Sequence, residues 1–183
     1  YRSLRTVLPP RLHELNTQNL SMVAWAYGNA EYYDAELFES VARETDRRLH
    51  SFNELQIATT IWGLGKFRPA PPPGVVSSLG SIASMLCEED RRSELTAPPL
   101  HRWSAGHLAM SLYGFEMADL KDKRLYSAYR RAIDPIANQL TEKELAMVSW
   151  AYSNKAPDCK PEGLQGAAMA MVDDDDDNKE ESH

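Results

Sequence analysis

The segment LSMVAWAYGN at residues 20–29 returns near the other end of the chain as LAMVSWAYSN at residues 145–154. Seven of the ten letters are identical, and the two segments begin 125 residues apart. Self-similarity at a fixed spacing is the sequence signature of repeat architectures, whereas an active site is usually written once. The paired segments therefore indicate a repeated structural unit.

Two further copies emerge when the chain is aligned on the central aromatic residue of the segment. The four aromatics are separated by 37, 51 and 37 residues. The longer gap contains an insert, CEEDRRSELTAPP at residues 87–99, and removing about 14 residues there restores the period. The aligned aromatics are Trp25, Trp62, Tyr113 and Trp150.

Each copy is predicted to begin with a short amphipathic helix, which we call helix A. Counted from the aromatic, the residue five before is aliphatic, those four before and one after are small, and the residue two after is large and apolar. At about 100° per residue, the positions five, four and one before the aromatic, the aromatic itself and the position two after it form one broad apolar face. The residue nine before favours a helix N-cap, and the apolar residue ten before suits a hydrophobic staple. The predicted N-caps are Asn16, Asn53, Ser104 and Thr141.

A second helix, helix B, is predicted to follow in each copy. The segment DAELFESVARETDRRLH at residues 34–50 has Leu37, Val41 and Leu49 as apolar anchors. The prolines of residues 70–80, APPPGVVSSLG, are expected to end one helix and start the next. In the third B helix, at residues 121–139, Pro135 is expected to kink the helix or end its first part.

Paired helices at a fixed period predict an all-α fold, namely an α-solenoid of about four tandem helical hairpins with a period of about 37 residues. The small residues predict close approach of neighbouring A helices. The central aromatic is expected to fill the space between successive hairpins. The predicted repeat domain covers residues 1–172, with units at about 15–51, 52–102, 103–139 and 140–172.

The two ends of the chain carry separate predictions. The segments RLHEL, RLHSF and PLHRW share one register. The repeat therefore explains His13, His50 and His101 without any functional role. Residues 1–14 resemble the end of a preceding B helix, and a further repeat is expected before them. Residues 173–183, DDDDDNKEESH, are predicted to be a disordered acidic tail.

The period and the segment ATTIWGLGKF at residues 58–67 resemble the octotricopeptide and heptatricopeptide repeats, which also include the FAST-kinase-like, RAP-associated proteins. Residues 71–75, PPPGV, are similar to the octotricopeptide signature PPPEW, with Gly-Val replacing Glu-Trp. No RAP domain is recognised, so nuclease-like activity has no support. The resemblance implies an RNA-binding protein of organellar gene expression, acting in transcript processing, translation or ribosome assembly. It also implies location in a mitochondrion or, alternatively, in a chloroplast or other plastid.

One surface of helix A is the candidate site for reading RNA bases. The position six before the aromatic is polar and differs in every copy, and the position two before lies about one turn on. A reader of one base per repeat needs variable polar side chains at a fixed register. The alternative is that the position is simply exposed. The candidate base contacts are Asn19, Gln56, Thr60, His107, Ser111 and Glu144.

Phosphate contacts would need cations, and several have acidic neighbours, so a solvated mixed-charge face is the alternative. Net charge is −7, but the acidic tail accounts for most of it and leaves 20 acidic and 19 basic residues, a net of −1. Near-neutral repeats predict modest, salt-sensitive RNA binding. The candidate phosphate contacts are Arg43, Arg47, Arg48, Lys66, Arg68, Lys121, Lys123, Arg124, Arg130 and Arg131.

No enzyme, metal or cofactor signature is recognised. Cys87 and Cys159 match no zinc or redox spacing, and no apolar stretch is long enough to span a membrane. His107 and Ser111 lie four residues apart, but no carboxylate in the sequence is placed to orient the histidine. Two hypotheses remain. In the first, the chain binds single-stranded or ribosomal RNA. In the second, it is a scaffold subunit of a large organellar assembly, such as a mitochondrial ribosome, and contacts mainly protein; the two are compatible in part.

Overall fold

The structure, a computed structural model, describes residues 8–89, 99–164 and 166, and all the regular structure in this part of the chain is helical. The predicted all-α class is therefore confirmed. Residues 1–7, most of the insert, the end of the fourth predicted unit and the acidic tail lie outside the described residues. The α-helices are α1 (Thr17–Asn29), α2 (Ala35–Arg47), α3 (Glu54–Gly65), α4 (Pro73–Glu89), α5 (Ala105–Met117), α6 (Lys123–Ile133) and α7 (Glu142–Lys155).

The helices pack in two rows. Helices α1, α3, α5 and α7, the predicted A helices, each contact the next in chain order, and we call them the A row. Helices α2, α4 and α6, the predicted B helices, do the same and form the B row. Each of the first three A helices also contacts the B helix that follows it. Short hairpins thus join the two rows.

The A helices begin at the predicted N-caps. Asn16 Oδ1 accepts the Asn19 N–H at 2.8 Å, and Ser104 Oγ accepts the His107 N–H at 3.3 Å. Asn53 and Thr141 also cap their helices with their side chains. Each cap satisfies an amide that the first helical turn leaves without an intrahelical acceptor. The prediction is confirmed in all four A helices.

Small residues bring the A helices into backbone contact. A Cβ added to Gly63 of α3 would stand only 2.7 Å from the Trp25 nitrogen of α1. A Cβ on Gly114 of α5 would stand 2.8 Å from the Ile61 carbonyl oxygen of α3. Real side chains do not tolerate such distances, so the glycines allow the close approach that the sequence predicts.

The core lies between the two rows. The aliphatic residue five before each aromatic and the large residue two after it are buried, as in Leu20 and Tyr27 of α1. The predicted anchors Leu37, Val41 and Leu49 are also buried, which confirms them. Three of the staple residues are buried, and Leu15 packs against the core. They are Phe52, Trp103 and Leu140.

Three of the four central aromatics contact one another between successive hairpins, but they do so at the surface of the A row rather than in the core. Trp25 and Trp150 are 41% and 42% exposed, and Trp62 and Tyr113 are half-buried. The reason is angular. At about 100° per residue, the residue two after the aromatic points roughly 200° away from it, so only one of the two can face the core. The buried residue is the later one, and the aromatics lie on the outer face of the A row.

The prolines end and start helices as predicted. Helix α4 begins at Pro73, and α6 ends at Ile133, just before the 3₁₀ helix Asp134–Gln139 that contains Pro135. Helix α4 continues through the first residues of the insert, where Cys87 is buried. Near the start of the chain, the 3₁₀ helix Pro9–Glu14 packs against α2.

Candidate ligand-binding groove

A groove of about 420 Å³ crosses the outer face of the A row. Because residues from the first and the last A helix line it together, the groove spans all four copies. We call it the A-row groove. Its lining residues are Trp25, Asn29, Trp62, Gly106, Met110, Thr141, Lys143, Glu144 and Met147.

The aromatic rings of successive A helices lie against one another along this face. The Trp62 and Tyr113 rings stack with their centroids 5.3 Å apart, and the Tyr113 and Trp150 centroids are 4.8 Å apart. The Lys66 ammonium lies 5.3 Å from the centre of the Trp62 ring, within the range of a cation–π interaction. Equivalent positions of three copies thus form one aromatic surface, and Trp25 of the first copy lines the groove beside it.

Methionines flank the aromatics one helical turn earlier, at the position three before. Met110 and Met147 line the groove, and Met22 is 48% exposed. Methionine is flexible and polarisable, so it adapts to the shape of a ligand. These methionines were not among the predicted site residues. The signal was present, because three of the four copies carry Met at this register.

The groove holds few polar groups, and most are already bonded. Asn29 Oδ1 accepts from Lys66 Nζ at 3.0 Å and from Trp62 Nε1 at 3.4 Å. Glu144 Oε2 accepts the Thr141 N–H at 2.9 Å. Glu144 Oε1 has no hydrogen-bond partner among the described residues, and it lies 2.8 Å from where a Gly106 Cβ would stand. The glycine therefore leaves room for the carboxylate beside α5.

The candidate base contacts six before the aromatic prove to occupy the third position of each A helix. There Gln56 and Glu144 close capping boxes with the N-caps of α3 and α7. His107 Nδ1 lies 3.1 Å from Glu54 Oε1 of the neighbouring helix, and Asn19 is exposed. Capping and helix-to-helix contacts thus explain much of the polarity at this position. Of the four residues, the groove includes Glu144.

The candidates two before the aromatic are not accessible. Thr60 and Ser111 are fully buried, since this side of helix A faces the B row. Ser111 Oγ donates to the His107 carbonyl oxygen at 2.7 Å and accepts from the Tyr129 hydroxyl at 2.7 Å. The expectation that these two side chains contact bases is therefore wrong. Burial of the Tyr129 hydroxyl also raises its pKa well above the usual range.

The candidate phosphate contacts lie mostly in and around the B row, away from the A-row groove. Arg43, Arg47 and Arg48 are on or just after α2, and Lys123, Arg124, Arg130 and Arg131 are on α6. Lys121 precedes α6, and Arg68 follows α3 and donates to main-chain carbonyls. Lys66 is the candidate that contacts residues of the groove.

Several of these cations are paired with carboxylates. Glu44 lies 3.0 Å from Arg47 and 2.9 Å from Arg48, and Asp119 lies 3.7 Å from Lys121. Arg130 contacts Asp134 and Glu162. Asp122 contacts Arg124 at 2.8 Å, and this hydrogen-bonded pair lowers the pKa of the Asp122 carboxyl. The pairing favours the mixed-charge alternative for the B row.

The structure corrects the expectation that no carboxylate is placed to orient His107. Glu54 does orient His107, a contact that links two helices and that the sequence did not reveal. Ser111 donates to main-chain carbonyls rather than to the imidazole ring.

Within the described ranges, no group of three or more potential metal ligands is found, and no helix has the length and apolarity needed to cross a bilayer. Comparison with protein-family models and with curated proteins finds no match for this chain.

Proposed function

We propose that this chain is an RNA-binding α-solenoid whose helical hairpins recur about every 37 residues. Equivalent N-caps begin all four A helices, and equivalent glycines bring neighbouring A helices together, which supports a repeated unit. Stacked helical hairpins offer an extended surface to a partner. The A-row groove is the part of that surface that suits a ligand.

The observation that carries the proposal is the exposed aromatic surface along the groove. Unpaired bases stack on aromatic side chains, and each stacked base contributes about 1–3 kcal/mol to single-strand binding. Helix α1 has no charged residue, and α3 has only Glu54. RNA would therefore be held mainly through its bases, with Lys66 and Lys143 as the cations nearest to the groove.

The cellular role follows from the resemblance to octotricopeptide and heptatricopeptide repeats. Proteins of that family act in organellar gene expression, so the proposed role is transcript processing, translation or ribosome assembly. The proposed compartment is a mitochondrion or, alternatively, a plastid. Imaging of a fluorescent fusion to the full-length protein tests the compartment, and a purely cytosolic signal would contradict it.

RNA binding is tested with the purified chain and a labelled single strand of about 12 nucleotides, followed by fluorescence anisotropy. Replacing Trp25 by Ala is expected to weaken binding about tenfold, because a stacking face is lost. Val76 of α4 is similarly exposed, at 39%, but lies in the B row. Val76→Ala is therefore the matched control and should bind like the wild type. Absence of binding even at about 50 mM salt would refute the proposal.

A protein scaffold is the second candidate, and the same face provides a specific reason. Met22, Leu55 and Trp150 are exposed apolar side chains on the A row, and such surfaces often pack against proteins. The paired cations of the B row also leave little free charge for phosphate. If the chain co-sediments with a large organellar particle after RNase digestion, and Met22→Ala with Trp150→Ala releases it, the scaffold role is supported.

A further inference from the structure

The A-row groove has a chemical asymmetry that points to one kind of base. Its walls include two indoles, Trp25 and Trp62, and two thioethers, Met110 and Met147, which suit a flat apolar ring. Among the polar groups, Glu144 contributes a carboxylate oxygen, Oε1, that has no hydrogen-bond partner within the described part of the chain. The groove therefore combines stacking surfaces with an acceptor of hydrogen bonds.

Negative charge at Glu144 also determines which part of an RNA strand can enter. A phosphate would be repelled by the carboxylate, whereas a base edge that carries N–H groups would be attracted. The Oε2 atom is held by the Thr141 N–H, so the carboxylate is fixed at the start of α7. A fixed acceptor discriminates between donors better than a mobile one, because less side-chain freedom is lost on binding.

The four bases differ in the donors that they offer on the Watson–Crick edge. Guanine has two adjacent donors, N1–H and N2–H, with no acceptor between them. Adenine and cytosine each place a ring acceptor beside their amino group, and uracil flanks its N3–H with two carbonyl oxygens. An unpaired carboxylate oxygen would repel those acceptors. Guanine is thus the base that complements Glu144.

We propose that the A-row groove binds an unpaired guanine of single-stranded RNA, which stacks against Trp25 or Trp62 and donates from N1–H and N2–H to Glu144 Oε1. This inference rests on the proposed RNA-binding function and specifies the ligand of the same groove. Asn29 and Lys143 are the donors that line the groove for the guanine O6. The position six before the aromatic then contributes to recognition in the fourth copy, where it also closes a capping box.

The test compares single strands of about 12 nucleotides that differ at one central position in an oligouridine background. Guanosine at that position is expected to bind about tenfold more tightly than uridine. Inosine lacks the N2 amino group but keeps N1–H and O6, and it should bind about threefold less tightly than guanosine. Equal affinity for the three strands would overturn the inference but leave RNA binding intact. No binding to any strand would refute the proposed function itself.

The decisive variant is Glu144→Gln. Gln56 closes the same capping box in α3, so a glutamine at 144 preserves the start of α7. Its amide then turns an N–H donor towards the groove, and the guanosine preference is expected to disappear while the melting temperature stays unchanged. Glu142→Gln is the matched control, because Glu142 is exposed on the same turn and does not line the groove. Persistence of the guanosine preference in Glu144→Gln would refute the assignment.

An arginine side chain offers a flat surface and N–H donors similar to those of guanine, so a peptide is the competing ligand. A labelled arginine-containing peptide is therefore titrated in parallel with the RNA strands. Binding of the peptide, with loss of affinity in Glu144→Gln and no binding of guanosine strands, would overturn the inference in favour of a protein partner.

Discussion

The A row and the B row differ in both packing and charge. In the A row, glycines let neighbouring helices touch through their backbones, as Gly63 does against Ala24. In the B row, a side chain links α4 to α2. The Ser78 hydroxyl lies 2.9 Å from Asp46 Oδ1 and 3.1 Å from the Ala42 carbonyl oxygen, and it can donate to either of them. Helices α1 and α3 of the A row carry a single charged residue, Glu54, whereas helices α2 and α6 carry many charges. Close backbone packing and the candidate groove thus share one row, while α2 and α6 of the other row are highly charged.

Replacing a buried indole should cause the largest loss of stability. Comparing it with an exposed indole distinguishes the inner side of the A row from its outer face. Trp103, at the entry to α5, is 3% exposed, so Trp103→Ala is expected to lower the free energy of unfolding by about 3–5 kcal/mol. Trp25→Ala should cost roughly 1 kcal/mol, because Trp25 is 41% exposed. Urea unfolding followed by circular dichroism measures both. Equal losses would mean that the outer aromatics belong to the core.

A pair of glycine substitutions tests whether backbone contact distinguishes the rows. Gly63→Ala would push α1 and α3 apart, and we expect a loss of about 2–3 kcal/mol in the free energy of unfolding. Gly80 of α4 has no atom within 4 Å of the position of an added Cβ. Gly80→Ala should therefore stabilise the chain by roughly 0.5–1 kcal/mol through helix propensity. If the two substitutions shifted the melting temperature in the same direction, backbone contact would not distinguish the A row from the B row.

The helix caps of the two rows should respond differently to pH. Asn16 caps α1 in the A row, and Asp122 caps α6 in the B row. Replacing either by Ala is expected to cost about 1 kcal/mol at neutral pH. The pKa of Asp122 is lower in the folded chain than its usual value of 3.8, so its stabilisation is present above that value and is lost as the pH falls through the folded pKa.

Unfolding curves measured from neutral to acidic pH check this prediction. The difference between Asp122→Ala and the wild type should shrink towards zero at low pH. The difference for Asn16→Ala should stay constant, because no ionisable group takes part in that cap. A constant difference for both variants would show that the charge of Asp122 contributes nothing to the cap.

The smallest effect is expected at Asp46, where the B-row helices α2 and α4 meet. Partial burial raises the pKa of Asp46, and the hydrogen bond from Ser78 offsets only part of the shift. A raised folded pKa favours folding at low pH, and this contribution is lost as the pH rises through the folded pKa. Asp46→Asn keeps an oxygen acceptor for Ser78 and should stabilise the chain by about 0.3 kcal/mol at neutral pH. Destabilisation in thermal melts would show that the carboxylate charge is needed.

Local signals in the sequence predicted much of the fold. N-caps such as Asn16, helix-ending prolines such as Pro135 and small residues such as Gly63 each act within a few residues or at a fixed register. Their effects could be predicted from one copy and checked against the others. The same signals did not determine the rotation of helix A about its axis. A broad apolar face left open whether Trp25 or Tyr27 points inwards, and the structure buries Tyr27.

The candidate site was harder to predict, because it depends on contacts between copies. Glu144 was identified by its variable register, but its neighbours Trp25 and Gly106 come from other helices. Thr60 and Ser111 were wrongly expected to be accessible because the sequence did not determine the rotation of helix A about its axis. Their side of the helix faces the B row. The pairing of cations such as Arg130 with Glu162 depends on tertiary structure that no single copy contains.

The capping box at the start of α7 limits which side chains can occupy position 144 without loss of stability. A side chain at 144 keeps this box only if it accepts the Thr141 N–H, as Glu144 does; in α3, Gln56 accepts the equivalent Asn53 N–H. Exchanging Glu for Gln at 144 is expected to change the proposed base preference at little cost in stability, whereas an aliphatic residue is expected to destabilise the first turn of the helix by about 1 kcal/mol. Redesign of the groove therefore begins from two side chains at position 144, Glu and Gln, because this residue serves both the start of α7 and the proposed recognition of a base.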